Sequence, residues 1–366
     1  MKIKPAQPRD VLNYISPYQP GKPISEVQRE YGLTEVIKLA SNENHLGPAP
    51  SALKALRRGI EEVHLYPDGA GYELKNALAE QFGFEPEEII LGNGSTEIVE
   101  IACESFLNNG DGAVTGWPAF FKYRIAVRIM GAEPVQIPLK NFTHDLERML
   151  NAVDEKTKMI FIADPNNPTG TLLDKDELEA FIKRVPEHIV VVLDQAYYEF
   201  IPPEKRLDAH KFIRDGYNLI VLRTFSKIYG LAGLRVGYGF ARPEIIAAMN
   251  KVREAFNCSS LAQIAAAAAL QDSDFVERTL EMNRTALMSM YEGFDRMRLE
   301  YIPSATNFVL VDFKRDIGVV FEELLKRGVI VRPMKGYDLP ASARISTAPL
   351  KDIEYFLKKL DEVLKR

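Results

Sequence analysis

Lys227 closes the stretch Leu219-Ile-Val-Leu-Arg-Thr-Phe-Ser-Lys227, an apolar run that ends in hydroxyl residues and one lysine. An apolar run of this length reads as a buried strand, so Lys227 falls where that strand opens onto a crevice. Burial disfavours an ammonium ion, and a neutral amine is what Schiff-base chemistry requires. Eight residues further on is Arg235, reached through Gly230-Leu-Ala-Gly233-Leu. Thr224, Ser226 and Arg235 could together hold a phosphate dianion. An amine that attacks aldehydes, beside a phosphate cradle, suggests a site for pyridoxal 5′-phosphate (PLP). A lone lysine after a strand is as often an ordinary surface residue, so the reading depends on the other strand ends.

Three of them carry chemistry. Ile160-Phe-Ile-Ala-Asp-Pro-Asn-Asn-Pro-Thr-Gly170 is an apolar strand running into a turn of Asn, Pro and Gly. Ile189-Val-Val-Val-Leu-Asp194 ends on a carboxylate, followed by Gln195-Ala-Tyr197. Ile89-Ile-Leu-Gly-Asn-Gly-Ser-Thr96 runs through glycines into a helical pattern. Polar groups just past the carboxyl ends of strands are where open α/β sheets bind ligands. Asp194 suits a carboxylate that keeps a pyridine nitrogen protonated by charge pairing. The start of the helix after Gly94 offers the Ser95 and Thr96 backbone N–H groups to an anion. The loop lacks the third glycine of a dinucleotide fingerprint, and a Walker pattern is absent.

In order and spacing, Asn167, Asp194, Tyr197, Thr224, Ser226, Lys227 and Arg235 resemble the fold-type I PLP-dependent aminotransferases. Ser16-Pro-Tyr18, Ile37-Lys-Leu-Ala-Ser-Asn-Glu-Asn-His-Leu-Gly-Pro48, Tyr66-Pro-Asp-Gly69, Gly92-Asn-Gly-Ser-Thr-Glu97, Val329-Ile-Val-Arg332-Pro and Arg344-Ile-Ser are similar to the histidinol-phosphate aminotransferases, in the class II subgroup. The resemblance runs from about residue 14 to the carboxyl end.

That resemblance implies a role for each residue. Lys227 would hold the cofactor and carry a proton between substrate Cα and C4′ of the cofactor, with Asp194 and Tyr197 as its catalytic companions. Asn167 and Tyr197 would hydrogen-bond the phenolic oxygen. Phe120, in Trp117-Pro-Ala-Phe-Phe-Lys-Tyr123, would stack on the ring, although it reads equally as a core aromatic. Arg332 and Arg344, twelve residues apart, would take substrate anions, as guanidinium forks suit carboxylate and phosphate. Tyr66 would serve the cofactor phosphate, and Tyr18 the substrate phosphate, across a homodimer interface. His45 in place of the commoner proline, and Thr347-Ala-Pro349 where the family continues towards a glycine, are departures on the substrate side.

The expected reaction is transamination of L-histidinol phosphate with 2-oxoglutarate in histidine biosynthesis. An aromatic amino-acid aminotransferase and a threonine-phosphate decarboxylase are the alternatives.

The elements that must position these groups alternate. Strand candidates fall near 89–91, 112–115, 134–138, 158–163, 189–194, 219–224 and 235–240, with helical patterns such as Tyr72–Phe82, Thr96–Leu107 and Lys175–Arg184 between them. This alternation predicts an α/β fold with a mostly parallel sheet covered on both faces. The resemblance adds that, of these seven strands, the one near 235–240 is antiparallel.

Past Ser273 a long charged helix, Asp274 to Arg298, leads into a smaller α/β pattern. Its elements are strand Phe308–Phe313, helix Val319–Arg327, strands Val329–Arg332 and Ala343–Ser346, and helix Lys351–Lys365. The expected division is a PLP-binding domain over 46–273 and a small domain over 1–45 and 274–366, with the amino-terminal arm packed on the latter.

Composition sets bounds. The 366 residues are 46% hydrophobic and 27% charged, as in ordinary globular chains. A net charge of −5 gives no reason to expect nucleic acid or an anionic membrane as partner. No run nears the roughly 18 apolar residues of a membrane span, and the start lacks a secretory apolar core. Cys103 and Cys258 lack metal or disulfide spacing, and the five histidines are scattered. A cytoplasmic enzyme with no metal is the expectation.

Overall fold

The computed structural model describes residues 6–17 and 21–365. Its strands are β1 (Ile37–Leu39), β2 (Ile89–Gly92), β3 (Gly112–Trp117), β4 (Glu133–Pro138), β5 (Thr157–Ala163), β6 (Val190–Asp194), β7 (Leu219–Thr224), β8 (Gly237–Phe240), β9 (Glu300–Ile302), β10 (Phe308–Asp312), β11 (Val329–Pro333) and β12 (Ser342–Ser346). They form two sheets.

The larger sheet has seven strands in the order β2-β8-β7-β6-β5-β3-β4. β8 is antiparallel to both its neighbours, and the remaining contacts are parallel. The apolar runs form these strands because both faces are covered. Ile160, Ile162, Val191, Leu193 and Val221 point into one core layer. Met159, Phe161, Val190, Val192 and Ile220 point into the other. This two-sided burial explains the absence of polar alternation in the sequence.

The smaller sheet, of order β1-β11-β12-β10-β9, has its own core of Val309, Val311, Val331, Ile345 and residues of the helix Leu350–Leu364. The helix Ser273–Arg296 begins at the Asp272 cap. It buries Phe275 in the first core and Ala286, Met290 and Phe294 in the core of the smaller sheet. One helix thereby ties the two sheets together. The alanine run packs as expected: Ala262, Ala265, Ala266 and Ala269 are buried in the helix Ser260–Leu270, which lies against the helix Pro50–Gly59.

Several boundaries differ from expectation. β8 begins at Gly237, because Arg235 has a φ of 55° and cannot continue a strand. The helix expected over 319–327 runs Ile317–Leu325, since the Asp316 carboxylate accepts from Gly318 N and starts it earlier. The amino-terminal segment divides. β1 pairs with β11, whereas Asp10–Tyr14 lies by the helix Lys122–Ile129 next to the larger sheet. There Arg9 donates to the Ile129 carbonyl and Arg128 to that of Tyr14. Among the described residues no helix is long and apolar enough to cross a membrane.

Candidate active site

Because β2, β5, β6 and β7 run the same way, their carboxyl ends meet at one edge of the sheet. One crevice there is lined by Ser95, Thr96, Phe120, Asn167, Asp194, Tyr197, Thr224, Ser226, Lys227 and Arg235. A larger surface groove around Ile182–Ile189 and Asp215–Leu219 sits at the opposite, amino ends of β6 and β7 and holds none of these groups.

Lys227 follows β7 directly. Burial, followed by the nearby Arg344 guanidinium, lowers its amine to about 8. Its Nζ stands 5.6 Å from the centre of the Tyr197 ring.

Asp194 ends β6, with its carboxylate inside the crevice. Tyr123 donates to its Oδ2 at 2.7 Å, and Ala196 N to its Oδ1 at 3.0 Å. Burial raises the carboxyl above its ordinary range, while both hydrogen bonds pull it back down. A group of this kind gains most when a cation, such as a pyridinium, lies against it.

The turn after β5 is held by Asn166, whose Nδ2 donates to the Pro118 carbonyl (3.1 Å) and to Thr169 Oγ1 (2.9 Å). Its neighbour Asn167 is thereby presented to the crevice and accepts from Arg344 Nη1 at 2.6 Å. Arg344 also donates to the Ala40 carbonyl at 2.9 Å. On the antiparallel pair β11 and β12, Arg332 stands directly opposite Arg344. Cross-strand partners share a face, so the two arginine side chains leave the small sheet on the same side.

The phosphate cradle depends on absent side chains. Gly94 caps the helix Ser95–Phe106 with a φ of 75°, and a Cβ there would collide with Arg235 Nη2. A Cβ on Gly237 would collide with Ser95 N. Both glycines let Arg235 and a helix N-terminus converge, an arrangement suited to a dianion. Ser226 N donates to Thr224 Oγ1 at 3.1 Å, with the Ser226 hydroxyl 3.0 Å from the same atom. With the amine on one side, Asp194 at depth and Phe120 on the wall, the residues fit PLP. Among the described residues no group of three or more His, Cys, Asp and Glu side chains could hold a metal ion.

Not every expected residue arrives. Tyr66 does not line the crevice of its own chain; it is 83% exposed and stacks on Phe256 at 4.9 Å. Tyr18 lies outside the described residues. Two residues not foreseen as site residues contribute instead. Tyr123 reads in sequence as another core aromatic, three places after Phe120. Asn42, which donates to the Tyr197 hydroxyl at 2.8 Å, reads as a turn residue within its motif. That motif was the only local signal for it.

A lysine, a carboxylate and an anion pocket at the carboxyl edge of a seven-stranded sheet have the chemistry of a PLP-dependent enzyme. Residues 34–360 match the family described as aminotransferase class I and II, and the chain belongs to it. It is similar to the histidinol-phosphate aminotransferase of Caldicellulosiruptor saccharolyticus, at 49% identity over 356 residues, covering 97% of this chain and 99% of that one. The histidinol-phosphate aminotransferase of Moorella thermoacetica is 45% identical over 97% of this chain and 92% of its own length.

Among solved structures, histidinol-phosphate aminotransferase from Sinorhizobium meliloti in complex with pyridoxal-5′-phosphate matches with a TM-score of 0.90 at 29% identity, over 99% of this chain and 98% of that one. A double mutant of Thermus thermophilus aspartate aminotransferase matches with a TM-score of 0.85 at 25% identity, over 98% and 99%. The fold thus serves more than one substrate, and the substrate must be argued from the site.

Proposed function

We propose that this chain transfers the amino group of L-histidinol phosphate to 2-oxoglutarate with PLP as cofactor, giving imidazole-acetol phosphate and L-glutamate reversibly, as a step of histidine biosynthesis. The observation that carries the reading is Arg344, whose guanidinium bears on the Lys227 amine and donates to Asn167 at 2.6 Å, with Arg332 directly opposite it on β11, a cationic pair suited to anionic substrates. The 49% identity to the Caldicellulosiruptor enzyme supports the choice of substrate.

PLP, when bound, supplies an aldehyde for the substrate amine and a ring that withdraws electrons from the Cα–H bond. Lys227 would hold the cofactor, and its free amine would carry the proton between substrate Cα and C4′ of the cofactor. Asp194 keeps the proton on the pyridine nitrogen. Tyr197 and Asn167 would hydrogen-bond the phenolic oxygen, and Phe120, on the crevice wall, would pack against the ring. The Ser95 and Thr96 backbone, with Thr224, Ser226 and Arg235, holds the phosphate. Arg344 and Arg332 bind substrate anions, and Asn167 keeps Arg344 turned towards the crevice.

The same reading divides the chain into a cofactor domain, 46–273, and a small domain, 1–45 with 274–366, supported by the two sheets and their separate cores. It makes the active unit a homodimer in which Tyr66 of each chain serves the other's cofactor phosphate. Exposed Ile60, Val63, Leu65, Tyr66 and Phe256 provide apolar surface for that contact. A cytoplasmic location belongs to the same proposal, in keeping with two buried free thiols.

A panel of amino donors with 2-oxoglutarate tests the substrate, and histidinol phosphate is expected to lead it. A preference for phenylalanine or tyrosine would make the chain an aromatic amino-acid aminotransferase. Carbon dioxide released from threonine phosphate would make it a decarboxylase.

A further inference from the structure

Asn42 follows β1 and is 1% exposed, with a φ of 54° that asparagine tolerates better than most residues. Buried polar groups need partners, and here the direction of each hydrogen bond can be worked out. The Asn42 backbone N–H can only donate, and it lies 2.8 Å from Ser346 Oγ, which therefore accepts. The Ser346 hydroxyl proton must point elsewhere, and Asn42 Oδ1 receives it at 3.0 Å. With Oδ1 committed to Ser346, the amide turns Nδ2 towards Tyr197, 2.8 Å from the hydroxyl. An amide nitrogen donates and does not accept. The proton of Tyr197 therefore cannot point back at Asn42, and it is left to turn into the crevice shared with Lys227 and Asn167.

We infer that Asn42 is a positioning residue that sets the polarity of the Tyr197 hydroxyl, making Tyr197 a donor towards an oxyanion in the crevice. The inference rests on the PLP reading above, in which that oxyanion is the phenolic oxygen of the cofactor. The setting comes from the smaller sheet. Ser346 is on β12, and Asn307, just before β10, donates to the Asn42 carbonyl at 3.1 Å. Groups 155 and 304 residues away from Asn42 in sequence thus agree on one proton's direction. The charged and titratable groups facing Tyr197 are Arg344, Asp194, Tyr337 and Lys227. None of them is altered by the variants below.

Asn42→Asp keeps the size of the side chain and its acceptor for Ser346. In place of the donor it puts a carboxylate oxygen, which draws the Tyr197 proton towards itself. The cofactor-loaded wild type and variants are titrated by visible absorbance, which reads the basicity around the phenolic oxygen without turnover. Loss of a donor to that oxygen is expected to raise the midpoint by about one pH unit or more. Tyr197→Phe should raise it comparably, and the double variant should go no further than the larger single shift.

An unchanged midpoint in Asn42→Asp, or fully additive shifts, would overturn the inference, the latter because a new charge acting at a distance would suffice. Should Asn42→Asp fail to fold, Ser346→Ala is titrated instead. It frees the amide to flip, so a smaller rise supports the inference and an unmoved midpoint overturns it. A fall in apoenzyme Tm with no movement of the midpoint means that Asn42 is only structural. If wild-type protein develops no pH-dependent band with PLP, the cofactor reading itself fails and takes this inference with it.

Discussion

The Tyr123 phenol donates a 2.7 Å hydrogen bond to Asp194 Oδ2, joining the helix Lys122–Ile129 to the end of β6. Burial keeps the Tyr123 phenol protonated far into the alkaline range, so it remains a donor whenever Asp194 is ionised. The bond favours the charged carboxylate, the form that the proposed role beside the cofactor ring requires. Hydrogen bonds to charged groups contribute about 1.5–3 kcal/mol. Tyr123→Phe is expected to slow the single-turnover half-reaction roughly tenfold to a hundredfold with the fold intact. Asp194→Asn should slow it further, by orders of magnitude, with cofactor still bound. Stopped-flow absorbance checks both, and an unchanged rate in Tyr123→Phe would reduce that residue to packing.

Lys227 should titrate far below an ordinary lysine. With its amine near 8, about a tenth is neutral at pH 7, against roughly three in ten thousand for a free lysine. The rate at which apoenzyme captures PLP should therefore climb with pH and level off above about 8. A climb continuing towards 10 would mean an unburied amine. The depressed value also has a consequence for stability. Between about 8 and 10.5 the unfolded chain binds more protons at this site than the folded one, so apoenzyme stability gains with rising pH across that window. In Lys227→Ala that gain should be missing, transamination should be abolished, and borohydride should fix no cofactor to the chain.

Gly94→Ala tests the cradle without touching a catalytic group. The new Cβ would meet the Arg235 guanidinium, and the φ of 75° is costly for any residue with a side chain. PLP affinity is expected to drop at least about tenfold, through loss of one charged hydrogen bond to phosphate. Equilibrium dialysis measures it, and wild-type affinity would place the phosphate elsewhere.

Arg344 and Arg332 are expected to differ in what they support. Either alanine variant should weaken use of histidinol phosphate by about tenfold or more. Arg344→Ala should harm the glutamate half-reaction as well, since it also removes the 2.6 Å bond that orients Asn167. PLP content should hardly change in either, because in the proposed site Arg235 and the Gly94 turn would hold the phosphate separately. Half-reaction kinetics with each substrate separate the two effects.

Much of this site was legible in the linear chain, and for a physical reason. Lys227, Asp194 and Asn167 each stand at or just past the end of an apolar run, and parallel strands must bring such ends to one edge. Residue type and position along a strand raised them as candidates, and the family motif around them nominated them. The five-stranded sheet could not be assembled the same way. β1 and β9 are three residues long, too short to show a period, and exist because β11 and β10 offer them edges.

The sequence by itself nominated the candidate groups, in family order: an amine, a carboxylate, a glycine-flanked anion pocket and two guanidinium groups. Tertiary structure alone decided how they are oriented. Tyr123 reaches Asp194 across 71 residues and Asn42 reaches Tyr197 across 155, and neither has a local signal beyond an aromatic in a helix or an asparagine in a turn. A hydrogen bond's direction depends on every neighbour competing for the same proton, and those neighbours come from distant strands. Only their packing, with Ser346 already donating to Asn42 Oδ1, determines where the Tyr197 proton can point.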